Sequence, residues 1–234
     1  MLRGFFVNSV IDMFVIGSRI YKRVVRNFTT KNRNITTKKY RMKTEILEIY
    51  IQSVLPMKIE IAEKIASKFD RFELSKNEFI LQENSISEDT YFLESGFVRS
   101  YTFDNNGNEV TTNIFSAPCF VNDFLSFFTQ KPVKENYQTL SNCIFWKTNL
   151  ENVQYNFHNI PEFREFSRLL FIINYYKLHD RMLEMVKETA TLRYTKLLEK
   201  HPNIFQNASL KIIASYLGIT DSSLSRIRKE ISKI

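Results

Sequence analysis

The residues from Ser209 to Ile231, SLKIIASYLGITDSSLSRIRKEI, leave the chain few choices. Leu210, Ile213, Ala214 and Leu217 recur at three- and four-residue spacing, as in a helix with one buried face. Gly218 follows at once, where a helix ends on a left-handed residue. Thr220 or Asp221 then offers a side-chain oxygen to start a second helix. Leu224, Ile227 and Ile231 fall on one face of that helix. Ser222, Ser223, Ser225, Arg226, Arg228 and Lys229 fall largely on the other. Small residues let a backbone approach a major groove, hydroxyls meet phosphates, and an arginine meets a base edge. From this pattern alone, an ordinary amphipathic hairpin with a solvated basic face is the alternative.

The run Ala214-Ser-Tyr-Leu-Gly-Ile-Thr-Asp-Ser-Ser-Leu-Ser-Arg-Ile-Arg-Lys closely resembles the helix-turn-helix of the Crp/Fnr family of bacterial transcription regulators, above all the short-tailed members common in Bacteroidetes. The resemblance extends from about Met42 to the end, specific in the last quarter and looser before it. It implies that Asp221, Ser222 and Arg226 face base edges, and that Thr220, Ser223, Ser225 and Lys229 hold phosphates. It implies double-stranded DNA and a second copy of the chain as partners, and leaves RNA polymerase open as a further one. A β-hairpin wing often follows the recognition helix in that family. The sequence stops at Ile234, so the expectation is a helix-turn-helix without the wing.

The net charge of +8 matters less than its location. Residues 1–41 hold ten Lys and Arg against one acid, Asp12, and the rest of the chain has a net charge of −1. DNA binding must therefore rest on a local patch, which Arg226, Arg228, Lys229 and Lys233 supply against Asp221 and Glu230. With 21 Phe and 5 Gly, the composition argues for a filled core and against glycine-rich phosphate loops. Cys119 and Cys143 stand far apart with no C-x-x-C, so they read as buried reduced thiols and signal no cluster or zinc site. His158, His179 and His201 have no metal-ligand spacing, and no nucleophile elbow occurs. The reading is a non-enzymatic, cytoplasmic chain with no cofactor or metal and no membrane association.

Residues 1–41 contain an apolar run, Phe5 to Ile16, too short and polar to span a bilayer, then a basic segment. They read as a disordered or non-native leader, or as a basic arm for DNA or a membrane surface. Residues 42–150 read as a sensor domain. Ile46, Ile49, Tyr50 and Val54 set one helix face, Pro56 breaks it, and Ile59, Ile61, Ala62, Ile65, Ala66 and Phe69 resume it. From Phe72 to about Lys147 the pattern alternates, with an Asn-Gly hairpin at Asp104–Asn108, which predicts a sandwich or jelly roll. Glu94-Ser-Gly-Phe-Val-Arg sits where the family has an x-x-G-x-V-R/K strand.

Residues 151–188 read as a long helix opened by Pro161 and running to about Glu188. Its seam of Phe166, Leu169, Ile173, Tyr176 and Leu183 suits packing along a two-fold axis, or packing onto the chain's own barrel. Residues 189–234 read as the DNA-binding domain. The expected class is thus α+β: an N-terminal jelly-roll β-barrel resembling cyclic-nucleotide-binding domains, a long dimerisation helix and a C-terminal helix-turn-helix.

In the family's nucleotide binders a Gly-Glu pair holds the ribose and an Arg-Ser/Thr binds the cyclic phosphate. Val121-Asn122-Asp123 and Lys134-Glu135-Asn136 stand in those places. Asn122, Asp123 and Lys134 are therefore the effector-site candidates. The arginine fork is missing and Glu135 repels an anion, so cyclic AMP is not expected to bind in the usual way. Phe120, Phe124, Phe127 and Phe128 line an apolar pocket or are simply core. Two other readings stay open: a regulator responding to a nucleotide or other small molecule in the jelly roll, and a jelly-roll scaffold that binds protein and not DNA.

Overall fold

The computed structural model of the chain describes residues 45–231, so the leader expected over residues 1–41 lies outside the described residues. Among the described residues two helices come first, α1 (Glu45–Val54) and α2 (Ile59–Ala66), parted around Pro56. Eight strands follow: β1 (Asp70–Leu74), β2 (Phe79–Leu81), β3 (Asp89–Ser95), β4 (Phe97–Phe103), β5 (Glu109–Ser116), β6 (Cys119–Val121), β7 (Asn136–Thr139) and β8 (Cys143–Asn149). A short helix, α3 (Phe124–Thr129), lies between β6 and β7. The remainder is helical: α4 (Leu150–Asn159), α5 (Pro161–Lys187), α6 (Ala190–Lys200), α7 (Ile204–Asn207), α8 (Leu210–Leu217) and α9 (Asp221–Ile231).

The chain forms two compact units. The first joins the described residues up to Phe69 with Val153–Tyr176. Within α1 the buried apolar side chains are Leu47, Tyr50, Ile51 and Val54, and Ile46 and Ile49 are half-buried. Both sets fit a helical period. The helix is apolar on most sides, so its neighbours choose the covered face. In α2, Ala62, Ile65 and Ala66 are buried and Ile59 is exposed. On α5, Phe163 and Phe166 are buried with their ring centroids 6.0 Å apart.

The second unit, Asp70–Asn152 with Lys177 onward, holds the strands and the C-terminal helices. One sheet runs in the order β1-β8-β3-β6, the other β2-β7-β4-β5. All strand pairs are antiparallel, which is the jelly-roll arrangement that the alternating pattern predicted. Tyr91, Leu93 and Phe145 from the first sheet meet Leu81, Val98 and Tyr137 from the second in one apolar cluster. Asp104 closes the β4–β5 hairpin by accepting from the Asn106 and Asn108 amides at 2.8 and 2.9 Å. Phe120 and Phe127 are core, Phe124 is half-buried and Phe128 is exposed, so that run divides between interior and surface.

Helix α5 runs without interruption for 27 residues. Its exposed apolar side chains overlap the seam expected from the sequence only at Tyr176. Phe171, Tyr175, Leu178, Met182 and Val186 are exposed and lie within about 80° of one another around the helix. Of the expected seam, Phe166 is buried, Leu169, Ile173 and Leu183 are half-buried, and Tyr176 is exposed.

Gly96 joins β3 to β4 at φ +103°, and a Cβ there would stand 2.5 Å from the Cys143 Sγ and 2.7 Å from the Asn142 carbonyl oxygen. Gly96→Ala should lower unfolding stability by at least about 2 kcal/mol, from backbone strain and overlap together. Urea denaturation checks this; an unchanged midpoint would show that the turn relaxes freely.

Candidate nucleic-acid interface

The helical pair α8–α9 is built from its caps inward. The Ser209 hydroxyl accepts from the Ile212 amide at 3.3 Å and starts α8. Gly218 ends it at φ +67°, in the left-handed region, and the Ile219 amide returns to the Ala214 carbonyl at 3.0 Å. The Thr220 hydroxyl accepts from the Ser223 amide at 3.2 Å and so caps α9. Ile213, Ala214, Leu217, Leu224 and Ile227 are buried in one cluster with Tyr194 and Leu197 of α6, Ile204 of α7, and Ala208. Leu210, expected in that core, is 39 % exposed because it lies in the first turn at the rim.

With Leu224 and Ile227 inside, Ser222, Ser225, Arg226 and Lys229 are turned outward together, and all four are exposed. Thr220 and Asp221 are exposed at the start of the same helix. Ser223 is half-buried on the flank, its hydroxyl 3.0 Å from that of Thr220. Arg226 makes no hydrogen bond or ion pair among the described residues. Arg228 leans aside, its guanidinium 5.9 Å from the Phe205 ring centroid. The seven residues expected at DNA thus run along α9 from its cap at Thr220 to Lys229 in its last turn, six of them exposed and Ser223 half-buried. The face offers hydroxyls, a cation pair and an arginine fork, which is the chemistry of phosphate and base-edge contact.

Two arginines that sequence reasoning passed over hold this pair in place. Arg193 donates to the Leu217 carbonyl at 2.9 and 3.2 Å and to the Glu188 carbonyl at 2.6 Å. It thereby supplies donors to carbonyls left unpaired near the ends of α8 and α5. Arg181 donates to the carbonyls of Thr112 and Tyr216. Neither arginine carries a motif; only the fold shows that each reaches a backbone oxygen distant in sequence. Lys196 and Lys200 of α6 pair with Glu184, at 3.4 and 3.0 Å, and Lys196 also pairs with Glu188. Burial pushes the Glu184 carboxyl up, but the two lysines outweigh it and leave the pKa below the ordinary value.

Two of the three effector candidates, Asn122 and Asp123, accept hydrogen bonds within the sandwich itself. The Asn122 Oδ1 accepts from the Thr90 hydroxyl at 2.7 Å and the Tyr91 amide at 2.9 Å. The Asp123 carboxylate caps α3 by accepting from the Ser126 amide at 2.8 Å. Lys134 is exposed, and no hydrogen bond or ion pair joins it to either residue among the described residues. The Tyr137 hydroxyl is pushed up by burial and further by Glu135 and Asp123, so the local field there is negative. The Cys119 thiol is pushed up to about 11 by burial, and both cysteines are free. Among the described residues no group of three or more His, Cys, Asp or Glu could hold a metal ion. No helix among them is long and apolar enough to cross a membrane.

The described residues thus form an eight-stranded jelly roll, a long helix and a capped helical pair. Residues 71–156 match the cyclic nucleotide-binding domain family. The c-di-GMP-responsive global regulator CLP of Xanthomonas campestris is similar in structure, with a TM-score of 0.61 and 15 % identity over 75 % of this chain and 92 % of that one. FixK2 of Bradyrhizobium japonicum has a TM-score of 0.59 and 16 % identity over 70 % and 85 %. A CooA mutant of Carboxydothermus hydrogenoformans has a TM-score of 0.55 and 18 % identity over 71 % and 78 %. No curated protein matches in sequence. The domain match and the shared fold bear out the resemblance to the Crp/Fnr family.

His201 ends α6, and its Nδ1 is buried without a hydrogen-bond partner among the described residues. Burial, with Lys200 and Lys177 adding repulsion, pushes its pKa down to about 4. The unfolded chain therefore takes up a proton near pH 6.5 while the folded chain resists until about pH 4. Stability from this group is complete above pH 6.5 and falls as the pH drops toward 4. Thermal unfolding of wild type and His201→Leu at pH 7.5 and pH 5 should show the variant losing less on acidification; equal losses would contradict the assignment.

Proposed function

We propose that this chain is a sequence-specific DNA-binding transcription regulator of the Crp/Fnr type, acting in the cytoplasm as a homodimer and not as an enzyme. The observation that carries the proposal is the outward face of α9, with Ser222, Ser225, Arg226 and Lys229 opposite the buried Leu224 and Ile227. Arg226 is the base-edge residue, matching the two acceptors of guanine, with Asp221 and Ser222 beside it. Thr220, Ser223, Ser225 and Lys229 position the helix on phosphates. Residues 189–234 act as the DNA-binding domain and residues 42–150 as the sensor. The homodimer forms along α5 through Phe171, Tyr175, Leu178, Met182 and Val186, which present one exposed apolar stripe. Two recognition helices then meet successive major grooves. RNA polymerase is a further proposed partner.

A second reading makes the protein ligand-responsive, and the cyclic nucleotide-binding domain match over residues 71–156 favours it. The occupant is not cyclic AMP held in the usual way. The Asn122 Oδ1 and the Asp123 Oδ1 each accept a bond from within the sandwich, Lys134 is a point charge at the surface, and Glu135 and Asp123 repel a phosphate.

Binding to duplex DNA, followed by anisotropy over a salt series, tests the main reading. Arg226→Ala should cost about 1–3 kcal/mol and relax preference at one base pair. Lys229→Ala should weaken all sequences alike and flatten the salt slope by about one. Undiminished operator binding by Arg226→Ala would remove that residue from the groove. Titration calorimetry with cyclic AMP and cyclic GMP should show no saturable heat at micromolar concentration; a clear isotherm would overturn the ligand assignment.

A further inference from the structure

Among the described residues β5 is the outer strand of its sheet, so one side of its backbone has no partner strand there. That side is occupied by α8 and α5. The Thr111 amide donates to the Ser215 Oγ at 2.8 Å, and the same hydroxyl donates to the Glu109 carbonyl at 3.2 Å. The Arg181 Nε donates to the Thr112 carbonyl at 3.1 Å. The β4–β5 register shifts between Ser100 and Tyr101, opposite this stretch, and such a bulge re-aims backbone groups. Arg181 also donates from Nη2 to the Tyr216 carbonyl at 2.8 Å, with its guanidinium 3.7 Å from the Tyr216 ring centroid. Behind these bonds, Ile114 of β5 and Leu140 share a cluster with Ile213, Ala214 and Leu217 of α8. The Met185 side chain covers the turn, its Cε 2.6 Å from where a Gly218 Cβ would stand.

The strand side of this junction is itself anchored. Arg99, buried on β4, pairs with the Glu109 carboxylate at 2.7 Å. It also donates to the Gln138 Oε1 on β7 at 2.7 and 3.1 Å. The position of Glu109 against Ser215 is therefore tied to two further strands of the sandwich.

We propose that Ser215 and Arg181 pin α8 to the free edge of β5, and that this pin sets the direction in which the cationic face of α9 points. Helix α9 follows α8 through a short turn, so its aim is inherited from α8. A pinned pair has its ordering cost met before binding, whereas a loose pair meets it on DNA. Movement of β4, β5 or β7 is passed through Arg99, Glu109 and Ser215 to the helical pair. The pin stands without DNA binding; only its effect on affinity rests on the regulator reading.

Hydrogen exchange and DNA affinity test it on the full chain with Ser215→Ala and Arg181→Lys. Alanine is a good helix former and lysine keeps the charge, so both variants should fold, as circular dichroism would verify. Exchange at the Thr111 amide should rise about two- to tenfold in Ser215→Ala, with β3 and β8 unchanged. Arg181→Lys should lower affinity for a duplex selected by footprinting about tenfold and leave binding to unrelated duplex unchanged. Unaltered exchange at residues 109–113 in both variants overturns the pin. Faster exchange with unaltered affinity overturns its role in aiming α9. If the wild type binds no duplex, the regulator reading fails, and the exchange result alone upholds or overturns the pin.

Discussion

The burial of Ile213, Ala214 and Leu217 is what the arrangement of this protein rests on. These three side chains of α8 sit in a single apolar cluster that takes Leu224 and Ile227 from α9, Tyr194 and Leu197 from α6, and Ile114 and Leu140 from the sandwich. Each fully buried side chain of this size contributes about 1.5–3 kcal/mol. That contribution has no direction, so it holds the parts together without choosing their orientation. Orientation comes from the polar bonds at the rim, where Arg181, Arg193 and Ser215 each meet backbone atoms distant in sequence. Because Leu224 and Ile227 are claimed by the core, Arg226 and Lys229 are left outside.

The jelly roll obeys the same division. Its interior is filled by Tyr91, Leu93, Val98, Tyr137 and Phe145, and its turns are closed by side chains that are polar and short. Asn122 and Asp123 belong to the second group: one accepts from β3, the other caps α3. A carboxylate that caps a helix is less available to a ribose, and Asp123 and Glu135 together make the surroundings of the Tyr137 hydroxyl negative. Within the stretch that matches the cyclic nucleotide-binding domain family, residues 71–156, the Asn122 and Asp123 side chains thus both serve the fold.

Much of this was legible in the chain itself. Gly218 and Thr220 mark a helix stop and a helix start that the structure reproduces at φ +67° and at the Ser223 amide. Asp104–Asn108 is a hairpin because Asp accepts locally and Gly107 tolerates positive φ. Helix α5 follows from Pro161 and the absence of breakers after it. These features are local: each depends on residues within a few positions, where backbone sterics and side-chain reach decide.

What pattern alone could not settle is which of two apolar faces is covered. On α1, Leu47 and Ile51 went inside and Ile46 and Ile49 stayed partly out. On α5, the outward stripe is Phe171, Tyr175, Leu178 and Met182, not the side carrying Phe166. Nor does any spacing announce that Arg181 reaches Thr112, or that Ser215 meets the edge of β5. The sequence determines the elements, their caps and the cationic face of α9 through short-range physics. Only the tertiary structure decides which faces meet and which backbone edges are closed, because those depend on atoms brought near by the fold and not by the chain.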